Sequence, residues 1–129
     1  MNGKLLLDTN IVIFLLSENA TVKEYLIEAD EVFIPCTVIG ELYFGAFNSA
    51  RKENNIARID ELVMKVTVLN NDIFTAREFG NIKSELRKQG KPIPENDIWI
   101  AAVAKQYGLK LITKDSHFCN VEGLDMELI

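Results

Sequence analysis

Lys4-Leu5-Leu6-Leu7-Asp8-Thr9-Asn10 decides how this chain is read. Three consecutive leucines do not alternate with polar residues, so Leu5–Leu7 reads as a strand buried on both faces, as in a parallel sheet covered by helices. The run ends in Asp8, and Ile11–Leu16 resumes with helical character. Outward from this unit, short apolar runs keep alternating with helical patterns. That alternation predicts an α/β fold around a parallel sheet. Val22, Tyr25, Leu26 and Ala29 repeat at helical spacing, and Val32-Phe33-Ile34 is a second strand that Pro35 stops. Thr37 is the expected cap of a helix reaching about Phe47. Ile56, Ile59 and Val63 form a helical stripe ending near Lys65, followed by a strand at Val66–Leu69. Asn71 or Asp72 caps a long helix ending at Gly90, with Phe79, Ile82 and Leu86 on one face. Pro92 and Pro94 hold residues 91–95 extended. Asn96 is the expected cap of the next helix, which runs through Tyr107 and stops at Gly108. Lys110–Thr113 is the fourth strand, and Met126–Ile129 adds a fifth.

The chain has 129 residues, 48% hydrophobic and 26% charged, which predicts one globular domain over 1–129. No run approaches the roughly 18 apolar residues of a membrane span. Asp8 and Asn10 interrupt the only apolar run near the N-terminus, unlike a signal peptide, so a cytoplasmic protein is expected. Cys36 and Cys119 lack metal or redox spacing and are expected to be free thiols. The net charge of −5 provides no general attraction for nucleic acid, although negative charges spent on a cation would not count against it.

Four acids occupy telling places. Asp8 ends a strand, Glu41 lies inside an amphipathic helix, Asp97 opens a helix, and Asp115 follows the fourth strand. Each has a plain structural explanation. Asp8 could cap a helix, Asp97 complement a helix dipole, Glu41 face solvent and Asp115 belong to a turn. The joint pattern is more specific. Parallel sheets collect ligands at the carboxyl ends of their strands, where Asp8 and Asp115 stand. Like charges gathered there need a reason, and a hard divalent cation such as Mg²⁺ is the commonest. Gly45, one turn after Glu41, is expected to let that helix approach a neighbour closely.

Leu5-Leu6-Leu7-Asp8-Thr9-Asn10, Glu41-Leu42-x-x-Gly45, Asn96-Asp97-x-Trp99-Ile100-Ala101-Ala102 and Leu111-Ile112-Thr113-x-Asp115-x-x-Phe118 together resemble the PIN-domain nucleases. The likeness is particularly to the VapC-like toxins of toxin–antitoxin pairs, and it spans almost the whole chain in the family order. It implies a three-layer α/β/α sandwich and a Mg²⁺-dependent endoribonuclease in which Mn²⁺ substitutes. Asp8, Glu41, Asp97 and Asp115 would be the catalytic, metal-holding acids. Thr9, Asn10, Asn96 and Thr113 would position them. The resemblance further implies a homodimer, an antitoxin partner whose C-terminal segment wraps near the site, and an RNA substrate (tRNA, rRNA or mRNA).

Lys83, Arg87, Lys88 and Lys91 are candidate phosphate contacts, set against a solvated helix face with internal ion pairs. His117, the only histidine, reads as a residue of the turn rather than a general base. Trp99 reads as packing. Tyr43, Phe44 and Phe47 belong either to the core or to a partner surface. A receiver domain would need an adjacent acidic pair, and a haloacid-dehalogenase-type phosphatase would need Asp where Asn10 stands. Two competing readings remain: a PIN nuclease of RNA processing with no toxin role, and a non-catalytic metal-binding interaction domain.

Overall fold

The structure is a computed structural model and describes residues 3–129. Five parallel strands form one sheet in the order β3-β2-β1-β4-β5. They are β1 (Lys4–Leu7), β2 (Glu31–Pro35), β3 (Thr67–Leu69), β4 (Lys110–Thr113) and β5 (Met126–Leu128). Between β1 and β2 run α1 (Thr9–Leu16) and α2 (Ala20–Ile27), and between β2 and β3 run α3 (Cys36–Phe47) and α4 (Lys52–Lys65). Helices α5 (Ile73–Lys88) and α6 (Glu95–Tyr107) lead from β3 to β4. Leu5, Leu6 and Leu7 are all 0% exposed. Side chains of successive strand residues point to opposite faces, so helices must cover both sides of β1. The result is a three-layer arrangement with β1 at its centre.

Leu6 pairs with Phe33 on one side and Leu111 on the other. Strand order reverses between β1 and β4, because the chain first builds outward through β2 and β3 and then returns. The carboxyl ends of β1 and β4 flank that reversal, which is where such sheets bind ligands. Opposite Trp99 of α6, Phe79 of α5 stacks with ring centroids 4.0 Å apart, so Trp99 is the packing residue expected.

Several boundaries depart from expectation. Helix α3 starts at Cys36 with Pro35 as its cap, so Thr37 is within the first turn and caps nothing. Pro35 also stays in β2, paired with Leu69 as the strand's last residue. Helix α6 likewise begins at Glu95 behind Pro94, and Asn96 is not its cap. Both prolines have the fixed φ and extended ψ that suit the residue before a helix. Asp72 caps α5 as expected, accepting from the backbone of Phe74 and Thr75. Gly45 serves no close approach, since a Cβ built there meets nothing within 4 Å.

Gly108 ends α6 in the left-handed conformation, with φ of 63°. Gly108→Ala is expected to destabilise the protein by about 1–2 kcal/mol, the cost of that conformation for a residue with a Cβ. The denaturation midpoint of the variant checks this.

Candidate active site

Asp8 follows β1 directly and is 5% exposed. Its Oδ1 accepts the Thr9 N–H at 2.7 Å and its Oδ2 accepts the Thr113 hydroxyl at 2.6 Å. Thr113 is the last residue of β4, so this buried bond ties the two central strand ends together. The same Thr113 oxygen accepts the Asp115 N–H at 2.9 Å. Asp115 then caps a 3-10 turn, Ser116–Asn120, by accepting the His117 N–H at 3.0 Å. Phe118, 0% exposed, anchors that turn in the core.

Glu41 reaches the cleft from the middle of α3, and its Oε1 accepts the Thr9 hydroxyl at 3.1 Å. Asp97 enters from the first turn of α6. His117 Nδ1 lies 3.3 Å from Asp97 Oδ2 and 3.1 Å from Asp115 Oδ1. The expected residence of His117 in the turn holds, and its ring additionally faces two of the acids.

Burial pushes the Asp8 carboxyl above its ordinary range, partly offset by the Thr113 and Thr9 hydrogen bonds, and the Asp115 charge pushes it further. Burial also raises Glu41; the Thr9 bond opposes this, and Asp8 and Asp97 add repulsion. Asp97 is raised by burial, with His117 opposing and Asp8 and Asp115 reinforcing. The four acids therefore occupy one electrostatic neighbourhood, although they come from four separate segments. Carboxylates held above their ordinary range together in a cleft make it a candidate functional site.

The donor chemistry fits a hard divalent cation. Asp97, Asp115 and His117 each offer one donor atom, and these atoms lie within 4.8 Å of one another. Each Asp8 oxygen receives one hydrogen bond and keeps lone-pair capacity. Carboxylate oxygens are the ligands that Mg²⁺ and Mn²⁺ take.

The other expected residues divide. Thr9 and Thr113 hold acids directly. Asn96 is exposed and lines an open cleft with Thr9, Thr37, Gly40, Glu41 and Phe44. Asn10 is exposed on α1 and makes no hydrogen bond to the acids among the described residues. Thr37, expected only as a helix cap, instead lines the cleft one turn before Glu41; the i, i+4 spacing is the signal of that place. Lys83 pairs with Glu95 at 2.5 Å and Lys88 with Glu85 at 3.7 Å, while Arg87 and Lys91 are exposed. Much of the basic segment is thus neutralised locally.

A family model, the PIN domain, matches residues 5–124, which includes every one of the four acids. The chain belongs to the PIN-domain family. This PIN domain is 40% identical over 114 residues to "Ribonuclease VapC2" of Haemophilus influenzae, covering 87% of this chain and 86% of that one. It is 35% identical over 127 residues to "tRNA(fMet)-specific endonuclease VapC" of Shigella flexneri, covering 96% of both. The structure of DNA-bound VapBC from Salmonella typhimurium superimposes with a TM-score of 0.90 over 96% of both chains, at 29% identity. The resemblance to VapC-like proteins seen in the motifs is thereby shown, as is the parallel α/β fold.

Proposed function

We propose that this PIN domain is the ribonuclease of a VapC-type toxin–antitoxin pair, hydrolysing RNA phosphodiesters with Mg²⁺ or Mn²⁺ held by Asp8, Asp97, Asp115 and Glu41. The convergence of these acids at the reversal between β1 and β4 carries the reading. A bound divalent cation supplies a Lewis acid for the phosphate and lowers the pKa of water. Asp8 is the fixed member of the set, because Thr113 and the Thr9 N–H immobilise both its oxygens. Thr113 also sets Asp115 through the Asp115 N–H. Thr9 steers the Glu41 carboxylate into the cleft, where it completes the set of oxygens that would hold the ion. Asn96 and Thr37 line the approach and offer hydrogen bonds to the sugar–phosphate chain.

Arg87 and Lys88 stand in the last turn of α5, where Arg87 lines a hollow together with Glu95 of α6. Arg87→Glu with Lys88→Glu is expected to raise KM and flatten its salt dependence, by roughly 0.7 in log–log slope for each phosphate no longer neutralised. Cleavage rates across a salt series check this. An unchanged KM and slope would remove these residues from the RNA path.

Phe44 and Phe47 are 73% and 55% exposed, while Tyr43 is half-buried and donates to Asp60. The two exposed rings favour a partner surface over a core role, consistent with a homodimer. Ile13, Leu16, Leu42, Ala46 and Ile59 line an apolar groove beside Glu41, suited to the antitoxin segment. No helix among the described residues is long and apolar enough to cross a membrane. The cytoplasm is the proposed place of action, where an RNA substrate and an antitoxin would both be met. Metal-dependent RNA cleavage by the antitoxin-free chain tests the central reading.

A further inference from the structure

The geometry points to His117 as a nitrogen ligand of the metal centre, one that makes the site discriminate for Mn²⁺ over Mg²⁺. This inference rests on the divalent-cation reading of the acidic cleft and adds a residue to it. The four acids alone form an all-oxygen set, which suits Mg²⁺ as well as Mn²⁺. His117 changes that chemistry. Its Nδ1 stands 3.3 Å from Asp97 Oδ2 and 3.1 Å from Asp115 Oδ1, and these three residues supply donor atoms that converge within 4.8 Å.

The ring is placed by the fold. Asp115 accepts the His117 N–H at 3.0 Å, Thr113 accepts the Asp115 N–H at 2.9 Å, and Phe118 buries the next side chain completely. The imidazole itself remains 48% exposed, so an arriving ion can meet it. Asp115 Oδ1 faces both His117 nitrogens, backbone and ring, which leaves its other oxygen for the same ion. Imidazole nitrogen is a good ligand for the first-row transition ions and a poor one for Mg²⁺, which holds to oxygen and water. A single nitrogen among oxygens therefore tilts the preference towards Mn²⁺ without excluding Mg²⁺.

The test compares wild type, His117→Asn and His117→Ala, each freed of metal and then titrated calorimetrically with Mn²⁺ and with Mg²⁺. Asn keeps a hydrogen-bonding side chain towards the acids but has no imidazole. Electron spin-echo spectroscopy of the Mn²⁺-loaded proteins reports directly whether nitrogen coordinates the ion. The expected result is a coordinated-nitrogen signal in wild type that both variants lose. Mn²⁺ affinity should fall at least about tenfold, with Mg²⁺ affinity changed less than about twofold. Thermal unfolding of the metal-free variants checks that they are folded. Absence of the nitrogen signal in wild type, or equal losses for both ions, would overturn the inference and leave His117 as a hydrogen-bonding neighbour of Asp97 and Asp115. Failure of wild type to bind either ion would instead overturn the metal-centre reading itself, and this inference with it.

Discussion

Asp8→Asn is expected to reduce RNA cleavage by about a thousandfold or more while leaving the protein folded. Asp8 is the most buried of the four acids, and two hydrogen bonds fix both of its oxygens. An asparagine of the same shape accepts the Thr9 N–H as before. The Thr113 hydroxyl then faces an amide nitrogen and must turn its proton elsewhere, a loss on the order of 1–2 kcal/mol. Against this, the substitution removes a carboxylate whose charged form is disfavoured by burial and by the Asp115 charge. The two effects oppose each other, so stability moves little. Activity does not share that compensation. Losing a charged metal ligand forfeits several kcal/mol of transition-state stabilisation, and each 1.36 kcal/mol is tenfold in rate. Initial cleavage rates and melting curves, measured on one preparation, separate the outcomes. Wild-type rates in the variant would remove Asp8 from the chemistry.

Divalent cation is expected to stabilise the protein, and by more at neutral pH than near pH 5. Asp8, Glu41 and Asp97 have folded-state pKa values raised above their ordinary ones, chiefly by burial. Between the ordinary carboxylate range and those raised values, the folded state binds more protons than the unfolded state. Stability contributed by these groups is therefore greatest at low pH and is lost as pH rises through the raised pKa values. At neutral pH the metal-free cleft carries its full repulsion, and a cation relieves it. At mildly acidic pH protons compete with the cation for the same oxygens. A cation at about a hundred times its dissociation constant adds roughly 2.7 kcal/mol, or several degrees in Tm for a domain of this size. Melting curves with Mg²⁺ and with EDTA at both pH values read this directly. A shift equally large at both pH values would place the bound ion away from these acids.

Much of this fold was legible in local pattern. Leu5-Leu6-Leu7 could not alternate and so had to be a doubly covered strand, and Gly108 could stop a helix because glycine adopts φ of 63° with no Cβ penalty. Asp8 and Asp115 were legible as strand-end acids because parallel sheets expose those ends. Helix starts were less legible. The hydrogen-bonding side chains of Thr37 and Asn96 suggested caps, whereas Pro35 and Pro94, with preset φ, decided where α3 and α6 begin. Gly45 suggested a tight helix contact, but α3 is open at that position. Pairings across the fold left no local trace. The family resemblance marks Thr113 as a positioning residue, but nothing near it in the chain indicates that the acid its hydroxyl binds is Asp8, more than a hundred residues earlier. The meeting of His117 with Asp97 joins the 3-10 turn to the first turn of α6, a tertiary fact without a period to read.

The most direct measurement is cleavage of tRNA by the purified, antitoxin-free chain with Mg²⁺, with Mn²⁺ and with EDTA, using Asp97→Asn protein from the same purification as the control for contaminating ribonuclease. The predicted result is cutting that requires either cation, stops in EDTA and is absent from the Asp97→Asn protein. Cutting that persists in EDTA, or that Asp97→Asn protein performs equally well, would contradict the metal-dependent ribonuclease assigned to these four acids.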